Sequence, residues 1–129
     1  MNRILGISVD CTNAALVARF WAKALGAEIL QGADRDLAVL TVGVEPDVLR
    51  LAFRRAPQGK FVRNRVRLDL VTRNVEFEAA RLLSLGAVRL EDVAAGDRRS
   101  TTFADVEGNE FDLVDGCDSE WPDTHHMNR

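Results

Sequence analysis

Histidine is almost absent from this chain. The two that occur, His125 and His126, lie within five residues of the C-terminus. Triads built on His, His-rich zinc sites and the 2-His-1-carboxylate iron site therefore lack a core imidazole unless the tail folds back. Cysteine is equally scarce. Cys11 and Cys117 are far apart, match no metal-ligand spacing and read as two free thiols in a reducing cytosol. Three Pro and nine Gly in 129 residues exclude a disordered or collagenous chain. No run of about 18 apolar residues exists to span a bilayer. The opening MNRILGISVDC has neither the apolar h-region nor the small-residue cleavage site of a secretion signal. The expectation is one compact cytoplasmic domain with no membrane partner.

What is present is a repeat. An apolar strand at Ile4–Val9 (ILGISV) precedes a helical pattern that ends in Leu25-Gly26-Ala27. The same grammar returns at Val66–Val71 (VRLDLV) and a helix ending in Leu85-Gly86-Ala87, 60 residues after the first triplet. Each LGA has the logic of a helix C-terminus, where glycine adopts the left-handed conformation that side chains disfavour. The first helix takes Thr12 or Asn13 as its N-cap and an apolar stripe of Leu16, Val17, Phe20, Ala24 and Leu25. The second takes Thr72 or Asn74, has Glu76 and Glu78 in its first turn, and has Val75, Leu82, Leu83 and Leu85 to bury.

Strand-like runs follow each helix. They are Ala27–Leu30, Leu37–Val42 and Val48–Phe53 in the first half, and Ala87–Leu90, Arg99–Phe103 and Glu110–Val114 in the second. A turn signal, Glu107-Gly108-Asn109, separates the last two. The expected fold class is α+β, with two tandem βαβββ modules whose helices cover one face of mostly antiparallel sheet. The expected boundaries are residues 1–54, a linker at 55–64, residues 65–115, and an acidic, flexible tail at 116–129.

Alternation along the strands separates two faces. Leu5, Ile7, Val9, Leu49, Leu51, Phe53, Val66, Leu68, Leu70, Phe111 and Leu113 form the apolar set expected under the helices. Ile4, Gly6, Ser8, Arg50, Ala52, Arg54, Arg67, Asp69, Val71, Glu110, Asp112 and Val114 form the other face, small and polar enough to line a pocket. Phe20 and Trp21 read as core, and Trp121 as a cover for something apolar. Cys11 stands just before a helix N-terminus, where a thiolate is favoured, but with no histidine base near it in sequence it reads first as a buried or incidental thiol.

The repeated units, Phe20-Trp21 followed by LGA, NRVRLDL at Asn64–Leu70 and DVEGNEFDLV at Asp105–Val114 together resemble the glyoxalase-like branch of the vicinal oxygen chelate superfamily. The resemblance runs from about Ile4 to Val114. It implies two cupped modules and a divalent metal on four side-chain positions, which chelates vicinal substrate oxygens. Carried onto this sequence, the common first-strand His falls on Ile4 and the common Glu of the first module on Arg50. The second-module His falls on Arg67 and the last Glu on Asp112. One of these residues is apolar and two are permanently charged guanidiniums, so a site with no metal and no cofactor is expected. Asp69, Glu110 and Asp112 offer oxygens to Mg²⁺ or Ca²⁺, but the guanidiniums nearby oppose a cation.

Arginines in place of metal ligands are suited to gripping an oxyanion in another way. The expectation is a small-molecule-binding protein for an acidic or carbonyl-bearing ligand, with Arg50 and Arg67 as the clamp, Asp112 orienting one arginine, and Ser8 and Asp69 lining the pocket. Two other readings stand beside it. One is a lyase or isomerase of the same superfamily with a non-standard site; the other is an interaction module whose cup is filled by salt bridges. Arg50–Leu68 carries seven basic residues and no acid, while Ala104–Asn128 carries eight acids and no Lys or Arg. With a net charge of −3 and no aromatic stacking pattern, no nucleic-acid partner is expected. The two blocks are expected to attract each other within the chain or across a homodimer.

Overall fold

The computed structural model describes residues 4–56, 66–95 and 98–116. Five elements make the first half: β1 (Gly6–Cys11), α1 (Ala14–Leu25), β2 (Glu28–Ile29), β3 (Leu37–Val42) and β4 (Leu49–Arg55). The second half repeats them as β5 (Leu68–Thr72), α2 (Val75–Ser84), β6 (Val88–Ala95), β7 (Arg98–Ala104) and β8 (Glu110–Asp115). The strands form two four-stranded sheets, ordered β1-β4-β3-β2 and β5-β8-β7-β6. In each sheet the first pair is parallel and the others antiparallel, so both are mixed. The fold is α+β with the βαβββ order twice. The chain divides into two compact units, and the first of them includes the turn Asp105–Asn109.

In the first unit, α1 begins where Asn13 accepts a hydrogen bond from the Leu16 N–H at 3.2 Å, which settles the choice of cap. It ends at Gly26, whose φ of 63° is the left-handed conformation expected of a C-cap glycine. Val17, Ala18, Phe20 and Trp21 are buried on this helix, and Ala38, Leu40, Leu51 and Phe53 are buried on the sheet it covers. Phe20 and Trp21 meet edge to face, with centroids 5.4 Å apart.

In the second unit, Asn74 caps α2 by accepting from the Phe77 N–H at 3.1 Å. Ala79 and Leu82 are buried on the helix, and Phe103, Phe111 and Leu113 on the sheet. Phe103 and Phe111 are cross-strand partners with stacked rings 5.6 Å apart. Fully burying such a side chain contributes about 1.5–3 kcal/mol.

The structure trims several expectations. Leu5 and Val66 precede the strands they were assigned to and are 69% and 75% exposed, so neither belongs under a helix. Leu16 and Leu83 face outward on their helices, while Ala14, Ala18, Trp21 and Ala79 fill the buried stripes instead. Strand β6 runs on to Ala95, well past Leu90, because a bulge between Arg89 and Glu91 absorbs the break in alternation. Strand β4 continues through Arg55. Most of the expected linker and the tail with Cys117, Trp121, His125 and His126 lie outside the described residues.

Candidate functional site

Pairing of β1 with β4 places Gly6 beside Arg50 and Ser8 beside Ala52, on one face of the first sheet. Ser8 and Arg50 are both exposed there. A Cβ at residue 6 would collide with the Arg50 carbonyl oxygen and carbonyl carbon, so glycine is what allows β1 to approach β4 at this point. Arg54 follows Arg50 on the same exposed face, four residues along β4.

In the second unit, Asp112 of β8 stands between Asp69 of β5 and Thr102 of β7. Arg67, just before β5, donates from Nη2 to Asp112 Oδ1 at 2.5 Å and to Thr102 Oγ1 at 3.1 Å. Thr102 Oγ1 in turn donates to Asp112 Oδ1 at 2.6 Å. The three side chains close a triangle in which Thr102 is 1% exposed. The Asp112 hydrogen bond holds the Arg67 guanidinium above its ordinary pKa against the cost of burial, and the charges of Asp112, Glu110 and Asp69 reinforce it. Arg67 and Asp112 are thus hydrogen-bonded, with Asp69 in register beside Asp112, whereas Ser8 and Arg50 belong to the other unit.

Thr102 was missed by the sequence reading, although a signal for it exists. The turn at Glu107–Asn109 pairs Ala104 with Glu110, and counting back two residues on each side puts Thr102 opposite Asp112.

The same turn has a role that composition did not reveal. Asp105 is 3% exposed and accepts from Trp21 Nε1 at 2.8 Å, from the N–H groups of Glu107 and Asn109, and from Asn109 Nδ2. Glu107 accepts from the Thr12 and Asn13 N–H groups and from the Thr12 hydroxyl, all between 2.6 and 2.8 Å. These are donors at the start of α1, where a carboxylate is favoured by the helix dipole. The two acids of DVEGN therefore brace α1.

Cys11 is buried at 3% exposure, and its thiol is pushed up to about 11. Burial is the main cause, followed by the charges of Glu107, Asp10 and Asp105; a backbone hydrogen bond from Asn13 opposes them. Being at the start of a helix does not make this thiol a nucleophile, because Glu107 already occupies the helix end.

The metal that the resemblance implies does not fit the donors present. Ile4 precedes β1 and is 81% exposed, Gly6 in register with Arg50 has no side chain, and Arg50 and Arg67 cannot donate electrons to a cation. Asp112 Oδ1 already accepts from both Arg67 and Thr102. Among the described residues, no group of three or more His, Cys, Asp or Glu side chains is placed to hold a metal. Among the same residues, no helix is long and apolar enough to cross a membrane.

A family model described as a glyoxalase-like domain matches residues 6–114. No curated protein sequence matches the chain. Solved structures share the fold at low identity. One is a mutant of the fosfomycin resistance protein FosX from Listeria monocytogenes, in complex with Mn(II) and 1S,2S-dihydroxypropylphosphonic acid. It is 15% identical with a TM-score of 0.73, the match covering 90% of this chain and 91% of that one. Another is a glyoxalase/bleomycin resistance protein/dioxygenase family enzyme from Burkholderia phytofirmans PsJN, 10% identical with a TM-score of 0.70, over 88% and 98% of the two chains. A possible glyoxalase from Bacillus cereus is 12% identical with a TM-score of 0.67, over 88% and 99%. Matched over nearly its whole described length, this chain belongs to the glyoxalase-like domain family.

Proposed function

We propose that the chain is a metal-independent small-molecule-binding protein whose ligand presents a carboxylate or a polarised carbonyl to arginine. The observation that carries this is the triangle of Arg67, Asp112 and Thr102. Both Nη2 hydrogens of Arg67 are committed inside it. The Nε and Nη1 hydrogens, three of the five on a guanidinium, make no bond among the described residues. A guanidinium already fixed in orientation loses less freedom when it closes on a planar acceptor, which favours binding. Asp112 orients this arginine and Asp69 contributes a polar contact; on the first unit, Arg50 and Ser8 present a guanidinium and a hydroxyl on an exposed face of their own. Each sheet ends in two edge strands, and a second copy of the chain is the proposed partner that covers them.

Isothermal titration with a panel of short carboxylic and 2-oxo acids tests this reading. The wild type gives saturable heats for at least one member, and Arg67→Ala weakens that binding by about tenfold or more. Equal heats from both proteins overturn the clamp. Elemental analysis of protein purified without chelator finds no stoichiometric divalent metal; one metal per chain overturns metal independence.

A further inference from the structure

The second sheet carries a cleft on the face opposite to Arg67, Thr102 and Asp112. Residues 101 and 113 alternate with 102 and 112 along β7 and β8, so Thr101 and Leu113 point to the helix-covered side. There, with Glu76, Asp92 and Arg99 at its exposed rim, an open cleft lined by the first turn of α2 and strands β6, β7 and β8 measures about 320 Å³. That is the lower end of the range of small-molecule pockets. At about 30 Å³ per water-sized unit it holds roughly ten non-hydrogen atoms.

Its chemistry is mixed in a specific way. Leu113, Val75 and Ala94 make an apolar part of the lining. Three carboxylates, Glu76, Asp92 and Asp115, and two guanidiniums, Arg89 and Arg99, also line it, and Asp115 has a partner of its own. Arg89 is consumed internally, since it pairs with Glu76 at 3.5 Å and Asp92 at 3.0 Å. Asp92 Oδ1 also accepts from Thr101 Oγ1 at 3.0 Å. The hydrogen bonds from Arg89 and Thr101 hold Asp92 below the usual carboxylate range, so it remains ionised. Its Oδ2 accepts no bond among the described residues, and Arg99 makes neither a hydrogen bond nor an ion pair there. The cleft therefore offers the uncommitted Oδ2 of Asp92, the uncommitted guanidinium of Arg99 and an apolar wall. The carboxylates of Asp92 and Glu76 disfavour a phosphate-like dianion, and Arg99 disfavours a simple amine. A molecule carrying both an ammonium and a carboxylate answers both groups at once.

We propose that this cleft is a ligand site distinct from the Arg50 and Arg67 faces, and that it takes a small zwitterion with an apolar body, of the α-amino acid class. The carboxylate meets Arg99, the ammonium meets Asp92 Oδ2, and the side chain lies against Leu113 and Val75. The proposal does not depend on what Arg67 binds.

Three matched probes test it by ¹H–¹⁵N NMR titration: L-leucine, 4-methylpentanoate, which lacks the ammonium, and 3-methylbutylamine, which lacks the carboxylate. Leucine is expected to shift the Thr101 and Leu113 amides saturably, with both analogues about tenfold weaker or more. Arg99→Gln weakens leucine by a similar factor, Arg99→Lys recovers part of it, and neither changes the thermal midpoint. Arg67→Ala leaves leucine binding unchanged. Absence of a saturable shift, equal binding of all three probes, or indifference to Arg99→Gln overturns the proposal. So does loss of leucine binding in Arg67→Ala, which would assign leucine to the other face.

Discussion

Replacing Asp105 by Ala removes the acceptor of a buried indole N–H, and the consequence can be worked through in free energy. Trp21 and Asp105 are each 3% exposed, so water does not readily replace the lost oxygen. An orphaned buried donor costs about 1–3 kcal/mol, and bonds to a charged acceptor lie toward the upper end. The N–H groups of Glu107 and Asn109 lose the same carboxylate, but they sit on a half-exposed turn that water reaches. Allowing about 2 kcal/mol for the indole and about 1–2 for the turn gives a loss of about 3–4 kcal/mol. At about 4 °C per kcal/mol for a chain of this size, the thermal midpoint falls by roughly 12–16 °C. Asp105→Asn retains one oxygen and loses about half as much. Urea unfolding followed by indole emission in a Trp121→Phe background isolates Trp21 as the reporter. A double-mutant cycle with Trp21→Phe, followed by far-UV circular dichroism because no indole then remains, should return a coupling of about 2 kcal/mol. A loss below about 1 kcal/mol in Asp105→Ala, or a coupling near zero, refutes the bracing role of this carboxylate.

Cys11 has a thiol held near 11 against an ordinary 9.0, so the unfolded chain ionises it first as pH rises. The stabilising contribution is intact below about pH 9, is lost progressively towards pH 11, and amounts to about 3 kcal/mol. Denaturation across that range should show this extra slope in a Cys117→Ser background and lose it on adding Cys11→Ala. Glu107→Gln keeps an oxygen at the start of α1 but removes its charge, which costs about 1 kcal/mol in chemical denaturation. Gly6→Ala forces a methyl against the Arg50 backbone and lowers stability by about 2–3 kcal/mol, visible as a fall in urea midpoint.

Much of the fold is legible in the residues themselves. The LGA triplets, Asn13 and Asn74 mark helix ends through local chemistry, and local chemistry survives in any tertiary setting. Period-two alternation correctly assigned Leu51, Phe53, Phe111 and Leu113 to the covered faces. It could not say how far a helix extends over a face, which is why Leu5 and Val66 lie in the open. In β6 the bulge at Arg89 and Glu91 shifts the alternation, so Glu91-Asp92 read as the end of a strand that continues. Alternation put Asp69 and Asp112 on one face of their strands, and the parallel pairing of β5 with β8 sets them side by side. The structure was illegible at Asp105 and Glu107, whose partners lie 84 to 95 residues away, where no periodicity connects them.

That separation also bears on how the chain is made. Thr12 and Asn13 leave the ribosome long before Glu107 does, and Trp21 long before Asp105. Until residue 109 emerges, α1 keeps its Asn13 cap, but the Thr12 and Asn13 N–H groups lack the Glu107 carboxylate and the Trp21 indole lacks the Asp105 oxygen. The first unit of structure is thus completed by residues 105–109, far downstream of its other residues, and its contact order is higher than its own stretch of sequence suggests. A cut in the linker that respects the sequence repeat would divide the protein at the wrong place, giving a first half deprived of its brace.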